Sequence, residues 1–266
     1  MPISVEDRGF TLGDGVFDTA LALNGTMFAR ASHVERLLAA ARSIGIAVEP
    51  AAVEAAIDAA LTPEPTIVRT TISRGVAARG LWPAAAGEPT LIVTTAPWSP
   101  ALLGAPARLV TATGRRNERS PTANLKTLGY LDHILAAREA AEAGGDDALL
   151  LNTSGRVACT TIANVFALFG GRLVTPPLSE GCLPGIVRGL VLEMAPQLGL
   201  TIEGRPLEAA ELGDADAMFL TNSVRLIRPV TALDGRALAV RGAVIVDIET
   251  RLRADLVAAC GSVTGA

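Results

Sequence analysis

The chain of 266 residues contains a single lysine, Lys126, although its lysines and arginines together number 23. An arginine guanidinium stays protonated in proteins, whereas a lysine amine can lose its proton, attack a carbonyl group and form a Schiff base. One surviving lysine is also compatible with chance in a chain that uses arginine for its surface charges. The sequence therefore raises two possibilities, and the chemical one predicts imine chemistry at Lys126.

Composition and charge exclude several classes of function. The net charge of −4 and the pI near 5.3 argue against a general nucleic-acid-binding protein. No apolar run reaches transmembrane length, and the first residues lack a signal-peptide pattern. We therefore expect a cytoplasmic protein with no membrane partner and a small-molecule substrate.

The metal-ligating residue types are few and scattered. Cys159, Cys182 and Cys260 are widely spaced, and His33 and His133 are the two histidines. This spacing matches neither a metal motif nor a disulfide framework. We expect no metal site, and we expect reduced thiols, as is usual in the cytoplasm.

The order of predicted elements indicates the α+β class with two domains. Strands and helices follow one another in both halves without a regular βαβ alternation. The polar stretch at residues 114–122 is the predicted interdomain linker. It separates a smaller N-terminal α+β domain, residues 1–113, from a larger C-terminal α+β domain, residues 123–266.

Local signals predict the elements around the candidate residues. Asn24-Gly25 lies between two apolar runs and predicts a hairpin turn. An amphipathic pattern follows and predicts a helix with Ser32 as its N-cap. The segment 128–144, which follows Lys126 closely, is predicted to be a helix that ends at a pair of glycines.

Five segments of the chain form an ordered set. They are DRGFTLGDGVFDT (7–19), HVERL (33–37), LKTLGYLDHILAAREA (125–140), DDALLLNTSGRVACTTIANVF (146–166) and LVTPPLSEGCLPGIVRGLVLE (173–193). In this order they resemble segments of the class IV aminotransferase-like enzymes, which are the fold-type IV pyridoxal-phosphate enzymes. Within that family the chain is most similar to 4-amino-4-deoxychorismate lyase and next to D-amino-acid transaminase.

The resemblance implies a fold, a cofactor and an assembly. It implies the two-domain architecture of D-amino-acid aminotransferase, with pyridoxal 5′-phosphate between the domains and two copies forming a homodimer. It assigns Lys126 to the Schiff base with the cofactor. The same amine would then act as general base and general acid during turnover.

The resemblance also assigns the groups that hold the cofactor phosphate. Arg36 matches the family arginine, and an arginine fork suits a phosphate dianion. The backbone N–H groups of Ile186 and Val187 begin a helix, where the helix dipole favours an anion. The segment TNS, Thr221 to Ser223, lies where the family places further contacts to the phosphate and the substrate carboxylate, and Asn222 and Ser223 are its predicted cofactor ligands. Without the resemblance, Arg36 would be interpreted as a surface arginine. The other two regions would be interpreted as an ordinary helix start and a loop.

Two further assignments concern the cofactor ring. Tyr130, the only tyrosine, resembles the family tyrosine that bonds the phenolic oxygen, although it could also be a core residue. Cys159 stands where the family has a glutamate that keeps the pyridine nitrogen protonated, five residues before Asn164. A thiol is neutral at pH 7 unless it is activated. Cys159 therefore predicts a weaker electron sink, or else it is only a small buried apolar residue.

The reaction is predicted from the residues expected to contact the substrate. Phe17 replaces the tyrosine of D-amino-acid transaminases, and Leu81, after Arg79 and Gly80, replaces their histidine. These features favour aminodeoxychorismate lyase, which forms 4-aminobenzoate and pyruvate for folate synthesis. The alternatives are a D-amino-acid or branched-chain-like transaminase and a pyridoxal-phosphate-binding relative without turnover. Arginines are the candidate ligands of the substrate carboxylate, and they are Arg79 and Arg225 first, then Arg74 and Arg228.

Overall fold

The computed structural model describes residues 3–81, 87–238 and 243–262. The chain divides into two compact units. The first unit comprises Met1–Ser99, Leu125–Tyr130 and Val257–Ala266, and the second comprises Pro100–Asn124 and Leu131–Leu256. These limits differ from the predicted division at 114–122, because a strand of the second unit runs through Ala107–Arg116. No helix among the described residues is long and apolar enough to cross a bilayer.

The first unit is an antiparallel four-stranded sheet with helices. Its elements in chain order are α1 (Arg8–Leu12), β1 (Gly15–Leu23), β2 (Thr26–Met27), α2 (Arg30–Ser43), α3 (Pro50–Ala60), β3 (Thr66–Ser73) and β4 (Thr90–Pro97). The strand order is β2-β1-β3-β4. Alternate residues of β1 and β3, such as Val16 and Val68, form one buried core with α2 and α3. The opposite face of these strands is therefore free to carry polar side chains.

The predicted hairpin between β1 and β2 is confirmed. Asn24 and Gly25 both have positive φ, at 51° and 73°, as a type I′ turn requires. The predicted N-cap of the next helix is wrong. The helix α2 begins at Arg30, and its N-cap is Ala29 with φ of 50°. The chain leaves β2 through this left-handed residue, so Ser32 already lies within the first helical turn.

The segment that carries Lys126 is extended rather than helical. Phe17 N donates a hydrogen bond to Lys126 O at 2.8 Å, and Leu128 N donates to Gly15 O at 3.0 Å. Val16 and Thr127 form an antiparallel bridge. The predicted helix from residue 128 is therefore shorter and begins at Leu131, because the backbone before it pairs with the edge of β1.

The second unit is built on a nine-stranded mixed sheet with order β10-β9-β8-β11-β12-β5-β6-β7, and β13 pairs with β12. Strand β5 is parallel to both β12 and β6, and β9 is parallel to β10, whereas the other pairs are antiparallel. The mixture agrees with the predicted α+β class. The elements are β5 (Ala107–Arg116), α4 (Leu131–Glu142), β6 (Asp147–Asn152), β7 (Val157–Thr160), β8 (Asn164–Phe169), β9 (Arg172–Thr175), α5 (Ile186–Met194), β10 (Thr201–Gly204), β11 (Ala217–Asn222), β12 (Leu226–Leu233), β13 (Arg236–Ala237) and α6 (Ala243–Cys260).

Small residues let α4 approach the sheet of the second unit. Ala136 and Ala140 of α4 pack with Ala148 of β6 in one buried cluster that also contains Cys159 and Cys182. The other face of this sheet is covered by a separate apolar cluster with larger side chains. The two cysteines therefore lie on the α4 side of the sheet.

Candidate active site

In the first unit, the amine of Lys126 lies among aromatic rings. Lys126 Nζ donates a hydrogen bond to Tyr130 Oη at 3.1 Å. The same nitrogen is 4.2 Å from the ring centroid of Phe17 and 4.9 Å from that of Tyr130. The two rings meet edge to face, with centroids 5.1 Å apart. The amine therefore has a hydroxyl partner and lies against two polarisable aromatic rings.

These surroundings change the acidity of the amine. Burial lowers the pKa of Lys126 from its usual 10.5 to about 8; nearby Arg36 and Arg69 act in the same direction, and Asp18 opposes them. An amine with this pKa is partly unprotonated near neutral pH, and the neutral form is the nucleophile. The structure thus gives the lone lysine the property that imine chemistry needs.

A buried carboxylate fixes Arg36. Arg36 Nε donates to Asp18 Oδ2 at 2.8 Å, and Arg36 Nη2 donates to Asp18 Oδ1 at 3.0 Å. His33 Nδ1 also lies 2.6 Å from Asp18 Oδ1. Although burial alone would raise it, the pKa of Asp18 is lowered by the bonds and charges of His33 and Arg36. Arg36 is therefore held by an ionised partner and is not a mobile surface arginine.

Sequence reasoning missed Asp18, although a signal for it exists. In the strand β1, Asp18 lies two residues from both Val16 and Ala20. The three side chains therefore share one face of the sheet, and that face is buried. A carboxylate in such a position needs hydrogen-bonded or charged partners. The nearby helix α2 supplies both of them from His33 and Arg36.

Arg69 was also missed, and it is the arginine that lies beside the lysine. Its guanidinium carbon is 3.5 Å from the ring centroid of Phe17. In the β1–β3 register, Arg69 pairs with Thr19 and Thr71 pairs with Phe17, so Arg69 and Phe17 lie on the same face of the sheet. Burial lowers the pKa of Arg69.

No other described residue forms a hydrogen bond or ion pair with the Arg69 guanidinium. Guanidinium N–H donors that are half removed from water and lack an acceptor favour a bound anion. The signal in the sequence was an arginine at the centre of an otherwise uncharged strand, TIVRTTIS.

The structure separates the other arginine candidates. Arg74 is bound by Asp14, with Nε–Oδ2 and Nη2–Oδ1 distances of 2.8 and 3.1 Å. Arg228 donates to the carbonyl groups of Ala105 and Pro106 at 3.1 and 2.9 Å. Both arginines therefore have structural partners of their own, which leaves Arg79 and Arg225 as the predicted substrate ligands.

Arg79 lies on an exposed loop, and the next residues of that loop are held by a buried arginine. Arg8 Nη1 donates to Gly80 O at 2.7 Å, and Arg8 Nη2 donates to Leu81 O at 2.8 Å. The remainder of the predicted loop, residues 82–86, lies outside the described residues. Arg225 is partly buried, and its backbone N–H donates to Asn222 Oδ1 at 2.8 Å.

In the second unit, the helix α5 begins beside Asn164. Gly185 is the N-cap and supplies no side-chain cap. A Cβ atom at position 185 would overlap the amide oxygen of Asn164, so the absence of a side chain allows the backbone to pass close to it. The first N–H groups of the helix, including those of Ile186 and Val187, have no acceptor within the helix. These N–H groups are the ones that the sequence predicts to bind an anion.

A buried hydroxyl completes this region of the second unit. Thr221 of β11 pairs with Asn164 of β8, so both side chains lie on one face of the sheet. Thr221 Oγ1 is buried and has no hydrogen-bond partner among the described residues. Because buried hydroxyl groups are normally bonded, this atom is available to bond a ligand near Asn164.

The neighbouring predicted contacts are placed differently. Asn222 Oδ1 accepts from Val224 N at 3.0 Å and from Arg225 N at 2.8 Å, so the amide oxygen stabilises its own turn. Ser223 is buried. The predicted segment 221–223 includes Thr221, and the pairing with Asn164 shows where its orphaned hydroxyl lies.

Cys159 lies in β7 opposite Leu150 of β6, within the apolar cluster that also contains Cys182. Burial raises the pKa of the Cys159 thiol to about 12. The thiol is therefore neutral at physiological pH. Cys159 has both properties considered from the sequence, since it is a small buried residue and it cannot supply a negative charge.

Comparison with known proteins agrees with these features. The sequence profile of the family described as Amino-transferase class IV matches residues 15–233. The "Putative branched-chain-amino-acid aminotransferase" of Methanocaldococcus jannaschii is 34% identical over 245 residues, which are 89% of this chain and 84% of that protein.

Two solved structures have the same fold. The 4-amino-4-deoxychorismate lyase from Pseudomonas aeruginosa is 30% identical with a TM-score of 0.86, and the match covers 96% of each chain. A fold IV transaminase from Curtobacterium pusillum is 30% identical with a TM-score of 0.83, covering 96% of this chain and 90% of the other. The chain belongs to the class IV aminotransferase family, whose enzymes have the fold-type IV architecture and use pyridoxal phosphate.

Proposed function

We propose that this protein binds pyridoxal 5′-phosphate through Lys126 and acts on a small amino substrate that carries a carboxylate. The observation that carries the proposal is the state of the lone lysine. Its amine lies against Phe17 and Tyr130, and burial lowers its pKa to about 8. Such an amine can bond covalently to an aldehyde at neutral pH, which no arginine can do.

The residues present fit the cofactor at its phosphate end. In the second unit, the N–H groups of Ile186 and Val187 and the orphaned Thr221 hydroxyl are neutral donors suited to an anion. Ser223 and Asn222 remain predicted contacts. In the first unit, Arg36 is the predicted charged ligand, and Asp18 fixes its orientation.

The other predicted contact with the cofactor is made by Tyr130. Its hydroxyl accepts a hydrogen bond from Lys126 Nζ at 3.1 Å. We propose that this hydroxyl bonds the phenolic oxygen of the ring. When bound, pyridoxal phosphate supplies an aldehyde for the amine and a ring that withdraws electrons from the reacting carbon.

In the proposed mechanism Lys126 moves protons. The free amine of Lys126 would take a proton from the substrate carbon as a general base and would later give a proton back as a general acid. Its pKa near 8 suits both transfers, because it lies close to the working pH. The hydroxyl of Tyr130 keeps the nitrogen in position for both transfers. The apolar rings around it limit the access of water.

The carboxylate of the substrate has a candidate ligand in Arg69. Its guanidinium lies over the ring of Phe17 at 3.5 Å without an acceptor among the described residues. A carboxylate bound there would be within the same aromatic cluster as Lys126. Arg79 and Arg225 are the ligands predicted from the sequence.

Among the reactions of the family, we favour aminodeoxychorismate lyase, which releases pyruvate and forms 4-aminobenzoate for folate synthesis. Phe17 and Leu81 support this choice, because they replace the tyrosine and histidine expected for a D-amino-acid transaminase. The neutral Cys159 supports it too, since formation of an aromatic product lessens the need for a strong electron sink.

The alternative is a D-amino-acid or branched-chain-like transaminase. The relative from Methanocaldococcus jannaschii and the fold IV transaminase from Curtobacterium pusillum favour it. Arg69 is compatible with both reactions, because both substrates carry a carboxylate.

One preparation of the protein can decide between the two reactions. We would measure release of pyruvate from aminodeoxychorismate, and formation of keto acids from D-alanine and from branched-chain amino acids, with Lys126→Arg as the inactive control. The lyase proposal predicts the first activity to dominate. Keto-acid formation without pyruvate release from aminodeoxychorismate would replace it with the transaminase. A visible spectrum that does not respond to any of the substrates would favour the non-catalytic relative.

We further propose that the protein is cytoplasmic and that two copies associate. The three described cysteines are unpaired and buried, which suits a reducing compartment. Leu131, Ile134 and Leu135 of α4 are exposed apolar residues at helical spacing, which suits a covered surface. Light scattering on the purified protein should give the mass of a dimer, and a monomer mass at micromolar concentration would contradict the assembly.

A further inference from the structure

Cys159 is close in the fold to the proposed phosphate site of the second unit. A tight turn joins the end of β7 to β8, with Thr160 N donating to Ala163 O at 2.9 Å. The turn leads directly into Asn164, whose amide group lies against Gly185 at the start of α5. Cys159 therefore lies one turn away from the residues that surround the helix start.

A second connection leads from Cys159 to the same place. Cys159 shares its apolar cluster with Cys182, which lies three residues before Gly185. A ring attached to a phosphate at the start of α5 would thus have Cys159 within the lining of its pocket. The orphaned hydroxyl of Thr221 is a further polar group in this region that a ligand could bond.

The charged side chain with the largest electrostatic effect on the Cys159 thiol is the cation Arg116. Arg116 acts on Cys159 to oppose the rise in its pKa that burial causes. The Arg116 guanidinium donates to the carbonyl groups of Gly181 and Ala123 and lies 2.7 Å from His133 Nε2. It is therefore fixed and permanently charged.

The arrangement makes His133 neutral. Because Arg116 can only donate, His133 Nε2 must accept from it. His133 Nδ1 lies 2.8 Å from the carbonyl oxygen of Thr161 and must donate to it. Both ring nitrogens are thus engaged in the neutral tautomer, and His133 offers no negative charge and no further acceptor.

The remaining titratable groups around the thiol are Cys182 and Asp147. Cys182 is buried, and burial raises its pKa as well. Asp147 directs Oδ1 to the hydroxyl and N–H groups of Thr161 and to the N–H of Ala148. Its Oδ2 is buried without a hydrogen-bond partner among the described residues, and its charge acts on the Cys159 thiol less than the charge of Arg116 does.

We propose that the pyridine nitrogen of the bound cofactor faces Cys159 and is unprotonated in this protein, because a neutral thiol in the neighbourhood of a fixed arginine replaces the acidic partner that a pyridinium needs. The inference rests on the proposed function. It goes beyond it by assigning an electronic state to the cofactor from the residues Arg116, His133 and Cys159. An opposite charge favours a protonated nitrogen and a like charge disfavours it.

Two measurements on the wild-type holoprotein test the inference. The first is the ¹⁵N chemical shift of cofactor labelled at the ring nitrogen, which should be that of a neutral pyridine across pH 6–8 for a cofactor of this kind. The second is affinity for 1-deazapyridoxal 5′-phosphate, in which a C–H group replaces the ring nitrogen. It should equal the affinity for pyridoxal 5′-phosphate to within about threefold, since no charge-assisted bond is lost.

The variant Cys159→Glu sharpens the test, and Cys182→Ser serves as the matched neutral control in the same cluster. In Cys159→Glu the ¹⁵N shift should move to that of a pyridinium. The preference for pyridoxal 5′-phosphate over the deaza compound should rise by about 10- to 100-fold. Cys182→Ser should leave both readings at the wild-type values.

The outcomes separate the two proposals. A pyridinium shift in the wild type, or a preference above about tenfold for pyridoxal 5′-phosphate, overturns the inference while leaving the proposed function intact. A folded Cys159→Glu holoprotein with wild-type readings shows that Cys159 does not face the ring, and it also overturns the inference. If neither compound binds the wild type, the proposed function itself fails. If Cys159→Glu does not fold, the two wild-type measurements still decide.

Discussion

The two units of this chain supply chemical groups of different kinds. Around Lys126, the first unit gathers ionisable side chains, namely Asp18, Arg36 and Arg69, in partly dry surroundings. Around the start of α5, the second unit presents neutral groups, which are backbone N–H groups, the hydroxyl of Thr221 and the thiol of Cys159.

The difference determines how each region can be tested. Hydrogen bonds to charged groups contribute about 1.5–3 kcal/mol, whereas neutral ones contribute about 0.5–1.5 kcal/mol. Substitutions in the first unit should therefore have large effects that depend on pH. Those in the second unit should have smaller effects that do not.

The largest effect is expected from Lys126→Arg. This change keeps the positive charge and removes the amine that we propose bonds to the cofactor. After borohydride reduction of the wild-type holoprotein, mass spectrometry should find the cofactor on the peptide that contains Lys126, with no second lysine to confuse the assignment. Lys126→Arg should carry no label and no activity. Label on another peptide, or none on the wild type, would refute the role of Lys126.

The pH dependence of cofactor capture should be nearly as large. Only the unprotonated amine reacts, so the rate should rise with pH, level off above the Lys126 pKa of about 8, and be about a hundredfold lower two pH units below it. Stopped-flow absorbance measures this rate directly. A midpoint near the usual lysine pKa of 10.5 would show that the amine is fully solvated.

The same shift has a consequence for stability. The folded state binds the Lys126 proton more weakly than the unfolded state does, because its pKa is lowered from 10.5 to about 8. The unfolding free energy of the cofactor-free protein should therefore rise with pH between these two values, and the penalty is fully present below pH 8. Lys126→Met should remove this part of the pH dependence.

Replacement of Arg69 tests the proposed carboxylate site. Arg69→Gln should lower kcat/KM for the carboxylate-bearing substrate by about 10- to 100-fold, because a charge-assisted bond is lost. Cofactor affinity should not change. Arg69→Lys should recover part of the loss, since it restores the charge without the fork.

A matched control for this substitution is Arg42→Gln on the exposed side of α2, which should have no effect. If Arg79→Gln or Arg225→Gln abolishes substrate binding while Arg69→Gln does not, the carboxylate ligand is one of those predicted from the sequence.

Replacement of Arg36 tests the charged contact to the phosphate. Arg36→Ala should weaken cofactor binding by about 1.5–3 kcal/mol. It should also lower the stability of the cofactor-free protein, because buried Asp18 loses one of its two partners. Equilibrium titration and thermal unfolding separate the two effects. Lower stability with unchanged cofactor affinity would mean that Arg36 serves only Asp18.

Short-range signals in the sequence predicted several features correctly. The Asn24-Gly25 hairpin depends on two adjacent residues with positive φ, and the start of α5 depends on the Pro-Gly step before Ile186. The role proposed for Lys126 was raised by composition and stays a prediction, which its lowered pKa supports. Such features need no knowledge of strand pairing.

The features that sequence reasoning missed depend on long-range pairing. Arg69 reaches Phe17 because β1 and β3 pair with Arg69 opposite Thr19. Thr221 belongs to the predicted segment 221–223, but its place beside Asn164 follows only from the pairing of β8 with β11. Local propensity also misplaced the helix before Leu131, since the edge of β1 captures residues 126–128.

The smallest predicted effect concerns Thr221 and has two opposite signs. Thr221→Val keeps the shape of the side chain and removes a buried hydroxyl that has no partner among the described residues. The cofactor-free protein should therefore become more stable, by about 1 kcal/mol, because a desolvated polar group is lost. Cofactor affinity should fall by about 0.5–1.5 kcal/mol, the contribution of a neutral hydrogen bond, and should show no dependence on pH.

Thr175→Val is the matched control, because Thr175 is also buried but its hydroxyl donates to Val165 O at 2.8 Å. That variant should be destabilised by about 1 kcal/mol, since an existing bond is broken, and it should bind the cofactor like the wild type. Chemical denaturation without cofactor and titration with cofactor give the two quantities for each variant. If Thr221→Val loses stability as Thr175→Val does and keeps its cofactor affinity, the hydroxyl of Thr221 has a structural partner in solution. The hydroxyl of Thr221 would then not belong to the cofactor site. The neutral donors at the start of α5 would be the backbone N–H groups of Ile186 and Val187 alone.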